Sequence, residues 1–275
     1  MVVAPHFLFK NLIMLVISSW NINSIRIRLE LVSRWLDIRH PDVILFQEIK
    51  CQTDEFPYTF FLNKGYESIV LGQKARNGVA IIIKKKFFKK EDKRITNHIN
   101  FNDQSRFLCY YISLLDIYIC NVYVPNGNPV IDADKYNYKI EFYSKLKRFL
   151  KSFIDKEKKI IIGGDFNVIE NTKDVKNFKL WENDALGKLN IRKLFREIVS
   201  LGYSNICRFF YEPGEKYSFW DYQKMSWEQN NGLLIDHFLT SPIILDKVLN
   251  FGIDTEMRGL NKPSDHVPIW LNLNI

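Results

Sequence analysis

The sequence has only four cysteines in 275 residues, and no two of them form a C-x-x-C pair. Cys51, Cys109, Cys120 and Cys207 are scattered, which argues against a disulfide framework and against a cysteine zinc site. Cys109 and Cys120 fall inside apolar, strand-like runs, where a thiol behaves as a small buried hydrophobe. This usage suits a reducing compartment, so a cytoplasmic location is expected. No apolar run reaches the length needed to cross a bilayer, and no membrane partner is expected. Residues 7–17 are apolar but interrupted by Lys10 and Asn11, and no small-residue cleavage site follows. They read as a short extension into the first strand rather than a signal peptide, with Met14 as an alternative start. There is no Gly/Ser linker, low-complexity run or internal repeat to mark a boundary. The expected division is therefore an extension over 1–14 and one domain over 15–275.

What the chain does have is a recurring event, clearest at Ile160-Ile161-Ile162-Gly163-Gly164-Asp165-Phe166-Asn167. A short β-rich run reads as a buried strand. It ends in two glycines, then an acid and an amide two residues apart. A carboxylate and an amide at the carboxyl end of a strand suit a hard cation and an attacking water. Taken alone, the fragment is more often an Asx-type turn closing a core strand. Recurrence changes the odds. Residues 15–21 form a strand that ends at Asn21, and residues 43–48 form one that ends at Glu48. Residues 117–124 carry Tyr123 at their end. Asp236 lies within a strand over 233–239, and Asp265-His266 precede a last strand over 269–273.

Between the first two strands, Asn23 or Ser24 can cap a helix running to Arg39, with Ile27, Leu31, Trp35 and Ile38 on one face. Strand, helix and strand make a βαβ unit. Further strands are read over 66–71 and 79–83, and a hairpin over 106–115 and 117–124. A helix over 134–154 turns Phe142, Leu146, Phe149 and Phe153 inward. Another over 191–201 ends at Gly202. The strand–helix halves on either side of residue 150 suggest two similar sheets packed face to face. The 39 basic residues exceed the 31 acidic ones by eight, which favours a polyanionic partner only weakly. The densest basic cluster, Lys84-Lys85-Lys86 with Lys89-Lys90, reads as a solvent-facing turn.

Trp20-Asn21-Ile22-Asn23, Gln47-Glu48-Ile49-Lys50, Tyr123-Val124-Pro125-Asn126-Gly127, Gly164-Asp165-Phe166-Asn167, Ile235-Asp236-His237 and Ser264-Asp265-His266-Val267-Pro268 occur in this order. The set resembles the endonuclease/exonuclease/phosphatase superfamily, and within it the exonuclease III type of apurinic/apyrimidinic endonuclease. Each motif is weak; the ordered set is specific. The string Tyr217-Ser218-Phe219-Trp220-Asp221-Tyr222 with Asn230-Asn231-Gly232 resembles the bacterial branch in particular.

The resemblance implies an α/β fold, a four-layer sandwich of two mixed sheets packed face to face with helices outside. It implies Mg²⁺, with Mn²⁺ as substitute, and cleavage of double-stranded DNA at abasic sites and 3′ ends by a monomer. Glu48 matches the metal-binding glutamate, and Asn21, Asp165, Asn167 and Asp265 are further metal candidates. His266 matches the active-site histidine and Asp236 the aspartate that holds it. Asp165 would activate the water, Asn167 would position it, and Tyr123 would donate to the scissile phosphate. Lys50 and Asn126 would contact DNA, and Phe219 and Trp220 would line a pocket for a base-less sugar, although core packing is expected for one of these two. His237 is expected to be structural. Leu234 stands where bacterial relatives often carry a basic residue, and the loop over 171–188 matches poorly. Two other readings compete: a phosphatase or phospholipase on the same fold, and a nucleic-acid-binding regulator that has lost catalysis.

Overall fold

The computed structural model describes residues 13–96, 99 and 104–275, so most of the 1–14 extension lies outside the described residues. Among the described residues, twelve strands fall into two sheets of six. The strands are β1 (Met14–Asn21), β2 (Val43–Gln47), β3 (Tyr66–Leu71), β4 (Val79–Lys84), β5 (Arg94–Ile95), β6 (Phe107–Ile112), β7 (Ile117–Tyr123), β8 (Ile160–Asp165), β9 (Ser204–Asn205), β10 (Asp236–Thr240), β11 (Val248–Ile253) and β12 (Ile269–Asn274). The first sheet runs β11-β12-β1-β2-β4-β3 and the second β5-β6-β7-β8-β10-β9. Each is built around one parallel pair, β1–β2 and β7–β8, flanked on both sides by antiparallel strands.

Each parallel pair needs a crossover. Helix α1 (Leu29–Arg39) links β1 to β2, and α3 (Ala133–Ile154) links β7 to β8. Shorter helices α2 (Tyr58–Asn63), α5 (Cys207–Phe210) and α6 (Pro242–Leu245) lie in connections, and α4 (Leu189–Val199) packs beside α3. Three apolar layers alternate with these elements. Leu15, Ile17, Leu45, Ile81, Ile119, Ile161, Phe238 and Leu271 fill the space between the sheets. Trp20, Trp35 and Phe46 pack under α1, and Phe107, Phe142, Leu146, Phe166 and Phe195 under α3 and α4. The result is the expected four-layer α/β sandwich.

Several local expectations are corrected. Ile27 and Ile38 are exposed, so the buried stripe of α1 is narrower than read, with Leu31, Val32, Trp35 and Leu36 inside. Neither Asn23 nor Ser24 caps it. Both hold a left-handed backbone, and the chain enters α1 through a 3₁₀ turn at Arg26–Arg28. Asn23 instead accepts from Lys50 and donates to Asp265. The strand read over 233–239 begins at Asp236, because Leu233 bridges Phe219 and Val175. Strand β11 and helix α2 were not read at all. All four cysteines are buried and free. Lys84 and Lys86 pair with Asp42 at 3.1 and 3.2 Å.

Neighbouring strands and the facing sheet crowd the end of β8. A Cβ on Gly163 would lie 2.4 Å from the Phe238 ring and 2.7 Å from the Leu45 side chain. At Gly164, where φ is +154°, it would lie 1.9 Å from the Val122 carbonyl oxygen. Only glycine fits either position, and the tight approach brings the next residue, Asp165, to the facing sheet.

Candidate active site

The carboxyl ends of β1, β2, β7 and β8 point the same way because each sheet's parallel pair does. Asn21, Glu48, Tyr123 and Asp165 therefore meet at one end of the sandwich, two from each sheet. The Asn21 amide spans the gap, donating to Glu48 Oε1 and Asp165 Oδ2, both at 3.0 Å. The Tyr123 hydroxyl donates to Glu48 Oε1 at 2.8 Å. Lys50 Nζ lies 2.8 Å from Glu48 Oε2. Burial works to raise the Glu48 pKa, but the Lys50 charge and hydrogen bond, with the Asn21 and Tyr123 donors, outweigh it and hold the carboxyl below its usual range. The backbone is strained here. Asn23, Glu48, Lys50 and Asn167 all sit at φ between 47° and 51°, a region that favours glycine.

Strand β10 runs antiparallel to β8 with Asp236 opposite Asp165. Its carboxylate lies 1% exposed and receives His266 Nδ1 at 2.8 Å and Ser218 Oγ at 2.6 Å on the same oxygen, Oδ2. A buried carboxylate needs such donors. The far nitrogen, His266 Nε2, is 3.6 Å from Asp165 Oδ2. Burial opposes an imidazolium, yet the Asp236 and Asp165 charges and the Asp236 hydrogen bond prevail and push His266 up to about 10. Asp165 moves the other way from Glu48. Burial raises it, His266 lowers it and Asp236 raises it again, leaving it at about 7. Asn167 fixes the Asp165 carboxylate, with its backbone N–H on Oδ1 at 2.9 Å and its amide on Oδ2 at 3.2 Å. Asn126 donates to Asn167 Oδ1 at 3.3 Å.

A cavity of about 330 Å³ opens over these groups, lined among others by Glu48, Tyr123, Asn126, Asp165, Asn167, Phe219, Asp265 and His266. The Phe219 ring stands edge-on to His266, 4.9 Å between centroids. Trp220 does not line it. That ring is 2% exposed and packs against Tyr217 and Trp227 in the layer under α1, because successive residues of an extended segment face opposite ways. Its expected contact with DNA is therefore corrected to core packing. Leu234 is also buried, in the layer between the sheets. His237 is fully buried against Phe166 and Phe195, and burial pushes it down to about 3.

Asp165, Asp236 and His266 offer ligand atoms within 4.8 Å of one another. Both imidazole nitrogens already face carboxylates, so this trio handles a proton better than it holds an ion. The Glu48 side suits a hard cation better. It offers a carboxylate, and Glu48 Oε2 already takes one cation, the Lys50 ammonium.

Three contributors escaped the sequence reading. Ser218 is the second donor to Asp236. Arg106 lies over the Tyr123 ring, 4.4 Å to its centroid. Lys139, fully buried on α3, donates to the carbonyls of Asn126, Asn167 and Ala185 at 2.9, 2.7 and 3.0 Å. Its signal was present, since 139, 142, 143, 146 and 150 lie on one helical face.

A model of the Endonuclease/Exonuclease/phosphatase family matches residues 18–266. The chain belongs to that family. Within it, the chain is 31% identical over 265 residues to exodeoxyribonuclease III of Haemophilus influenzae, covering 92% of this chain and 97% of that one. An AP endonuclease structure from Archaeoglobus fulgidus superposes with a TM-score of 0.86 at 30% identity, covering 95% of this chain and all of the other. A Neisseria 3′ phosphatase bound to a product DNA hairpin superposes with a TM-score of 0.87 at 27% identity and the same coverage. All the family motifs read from the sequence lie on the loops and strand ends around the cavity. Among the described residues no helix is long and apolar enough to cross a membrane.

Proposed function

We propose that the chain is a Mg²⁺-dependent DNA-repair nuclease that hydrolyses phosphodiesters at abasic sites and trims 3′ ends, acting as a monomer through one domain over 15–275 in the cytoplasm. The observation that carries this is the Asp236–His266 hydrogen bond, with Asp165 3.6 Å from the far imidazole nitrogen, facing Glu48 across one small cavity with Phe219 as its apolar wall. The named activities of the relatives agree with it, and one solved neighbour holds DNA.

The residues divide the work. Asp165 Oδ2 takes the proton of the attacking water, and its raised pKa makes it a stronger base than an exposed carboxylate. Asn167 keeps that carboxylate oriented. His266, protonated and fixed through Nδ1 by Asp236, directs Nε2–H at a nonbridging phosphate oxygen, where charge builds in the transition state. The Tyr123 hydroxyl stands ready to donate to the same phosphate. A divalent ion held by Glu48, with Asn21 and Asp265 nearby, would supply neutralisation of phosphate charge; Mn²⁺ would substitute for Mg²⁺. Lys50, beside Glu48, and Asn126, in the cavity lining, would meet the DNA backbone.

The test is incubation with an abasic-site duplex and with a matched duplex bearing a 3′ end, each with Mg²⁺ and with EDTA. Cleavage with Mg²⁺ that stops in EDTA is expected. Full activity in EDTA would remove the metal from the reading. Turnover of an inositol phosphate or sphingomyelin, with abasic DNA untouched, would replace the substrate.

A further inference from the structure

A second cavity of about 660 Å³ adjoins the catalytic one, and the two share Trp181, Asp184 and Asp221 as lining. Val175 and Leu233 form its buried apolar floor, and Trp181 packs on them as a wall. Its polar lining includes the amides of Asn177, Gln223 and Asn231 and the side chains of Lys176 and Lys224. The larger cavity thus borders the smaller one at a junction that carries two carboxylates.

The chemistry of the junction and wall restricts the occupant. Asp184 and Asp221 disfavour a second phosphate at the junction itself. The cavity offers one indole face, an apolar floor, amides that both donate and accept, and two lysines that donate. Those groups match a flat, neutral heterocycle with hydrogen-bonding edges. A base-less sugar fills the catalytic side beside Phe219 and has nothing to place in the larger cavity. Resting on the proposed nuclease function, we propose that the Trp181 cavity receives the nucleobase of a base-bearing 3′-terminal nucleotide whose phosphate lies in the catalytic cavity. The step itself is ordinary hydrolysis. The water oxygen bonds to phosphorus, the P–O3′ bond breaks, and the leaving O3′ takes up a proton. The cavity would therefore decide how well the enzyme removes intact nucleotides relative to abasic cleavage.

The readout is the ratio of two single-turnover rates, removal of the 3′ nucleotide from a matched duplex over cleavage of an abasic duplex. Trp181→Ala should lower that ratio about tenfold, the scale of losing one base-stacking ring. Trp181→Phe should bring it back to within about threefold of wild type. Asn177→Trp fills the cavity from its exposed rim, at a position whose side chain makes no helix-capping bond, and keeps the test open should Trp181→Ala fold poorly. It too should lower the ratio about tenfold. An unchanged ratio in Trp181→Ala or Asn177→Trp overturns the base pocket while leaving the nuclease reading intact. So does wild-type cleavage of abasic DNA without any removal of intact nucleotides. A wild type inert on both duplexes overturns the nuclease reading itself, and the pocket with it.

Discussion

Replacing Lys139 with methionine isolates a buried charge whose only hydrogen-bond acceptors are backbone. Its ammonium spends all three N–H groups on three carbonyls at 2.7–3.0 Å, from the loops that carry Asn126, Asn167 and Ala185. Methionine keeps the length and the apolar stem but donates nothing. A buried acceptor stripped of its partner costs about 1–3 kcal/mol, and there are three. Part of this is offset, because burying the charge is itself unfavourable. Burial pushes Lys139 down to about 7, with Asp184 and Asp165 pulling it back up. The balance gives an expected loss of about 3 kcal/mol. The same change frees the backbone that seats Asn126 and Asn167 beside Asp165, so kcat on an abasic duplex should fall more than KM rises. Urea unfolding measures the first effect and steady-state cleavage the second. A loss below about 1 kcal/mol, well under the cost of even two stranded acceptors, together with unchanged kcat, would refute the clamp.

Three further outcomes are expected. His266→Ala should lose roughly 100-fold or more in single-turnover rate, Asp236→Asn somewhat less, and the double mutant should be little worse than His266→Ala alone; additive losses in log rate would separate the two residues. His237 is held neutral by burial at about 3, against about 6.5 when unfolded. Its contribution to stability is complete above the unfolded value and is lost as pH falls from there toward 3. Between pH 7.5 and 5 the wild type should lose about 2 kcal/mol more than His237→Gln, measured by urea unfolding at both pH values, and equal losses would reject the assignment. Trp220→Ala should cost about 3–5 kcal/mol of stability, whereas Phe219→Ala should leave the unfolding midpoint near wild type and slow abasic cleavage; the reverse pattern would exchange their roles.

The sequence exposed the strand ends well, because a buried strand that stops at an acid or amide contradicts its own hydrophobicity, and Asn21, Glu48 and Asp165 each do so. It also exposed the two similar halves, since α1 and α3 are long and periodic. The entry to α1 was misread because a local capping signal at Asn23 lost to a tertiary one: its amide serves Lys50 and Asp265 instead. β11 was invisible because its pairing with β12 shifts register between Val248 and Asn250, which spoils the alternation a strand shows in sequence. Ser218 and Trp181 could not be read as site residues, since nothing local says that their loops fold back over β8 and β10. Lys139 was legible in principle, but a lysine on an amphipathic helix is ordinarily taken for the wet side.

The placement of β12 has a consequence for how the protein is made. It follows every other strand among the described residues, yet it lies between β11 and β1, the first of them. His266 sits three residues ahead of it. A ribosome that has released residues 104–240 has already delivered Asp165 and Asp236, while β1 still has one unpaired edge and no imidazole exists to join the two acids. The nascent polypeptide can fold half of the centre but has no His266 to place there until translation reaches the last strand. The full expected hydrolytic power should therefore arrive late, once His266 joins Asp236 to Asp165.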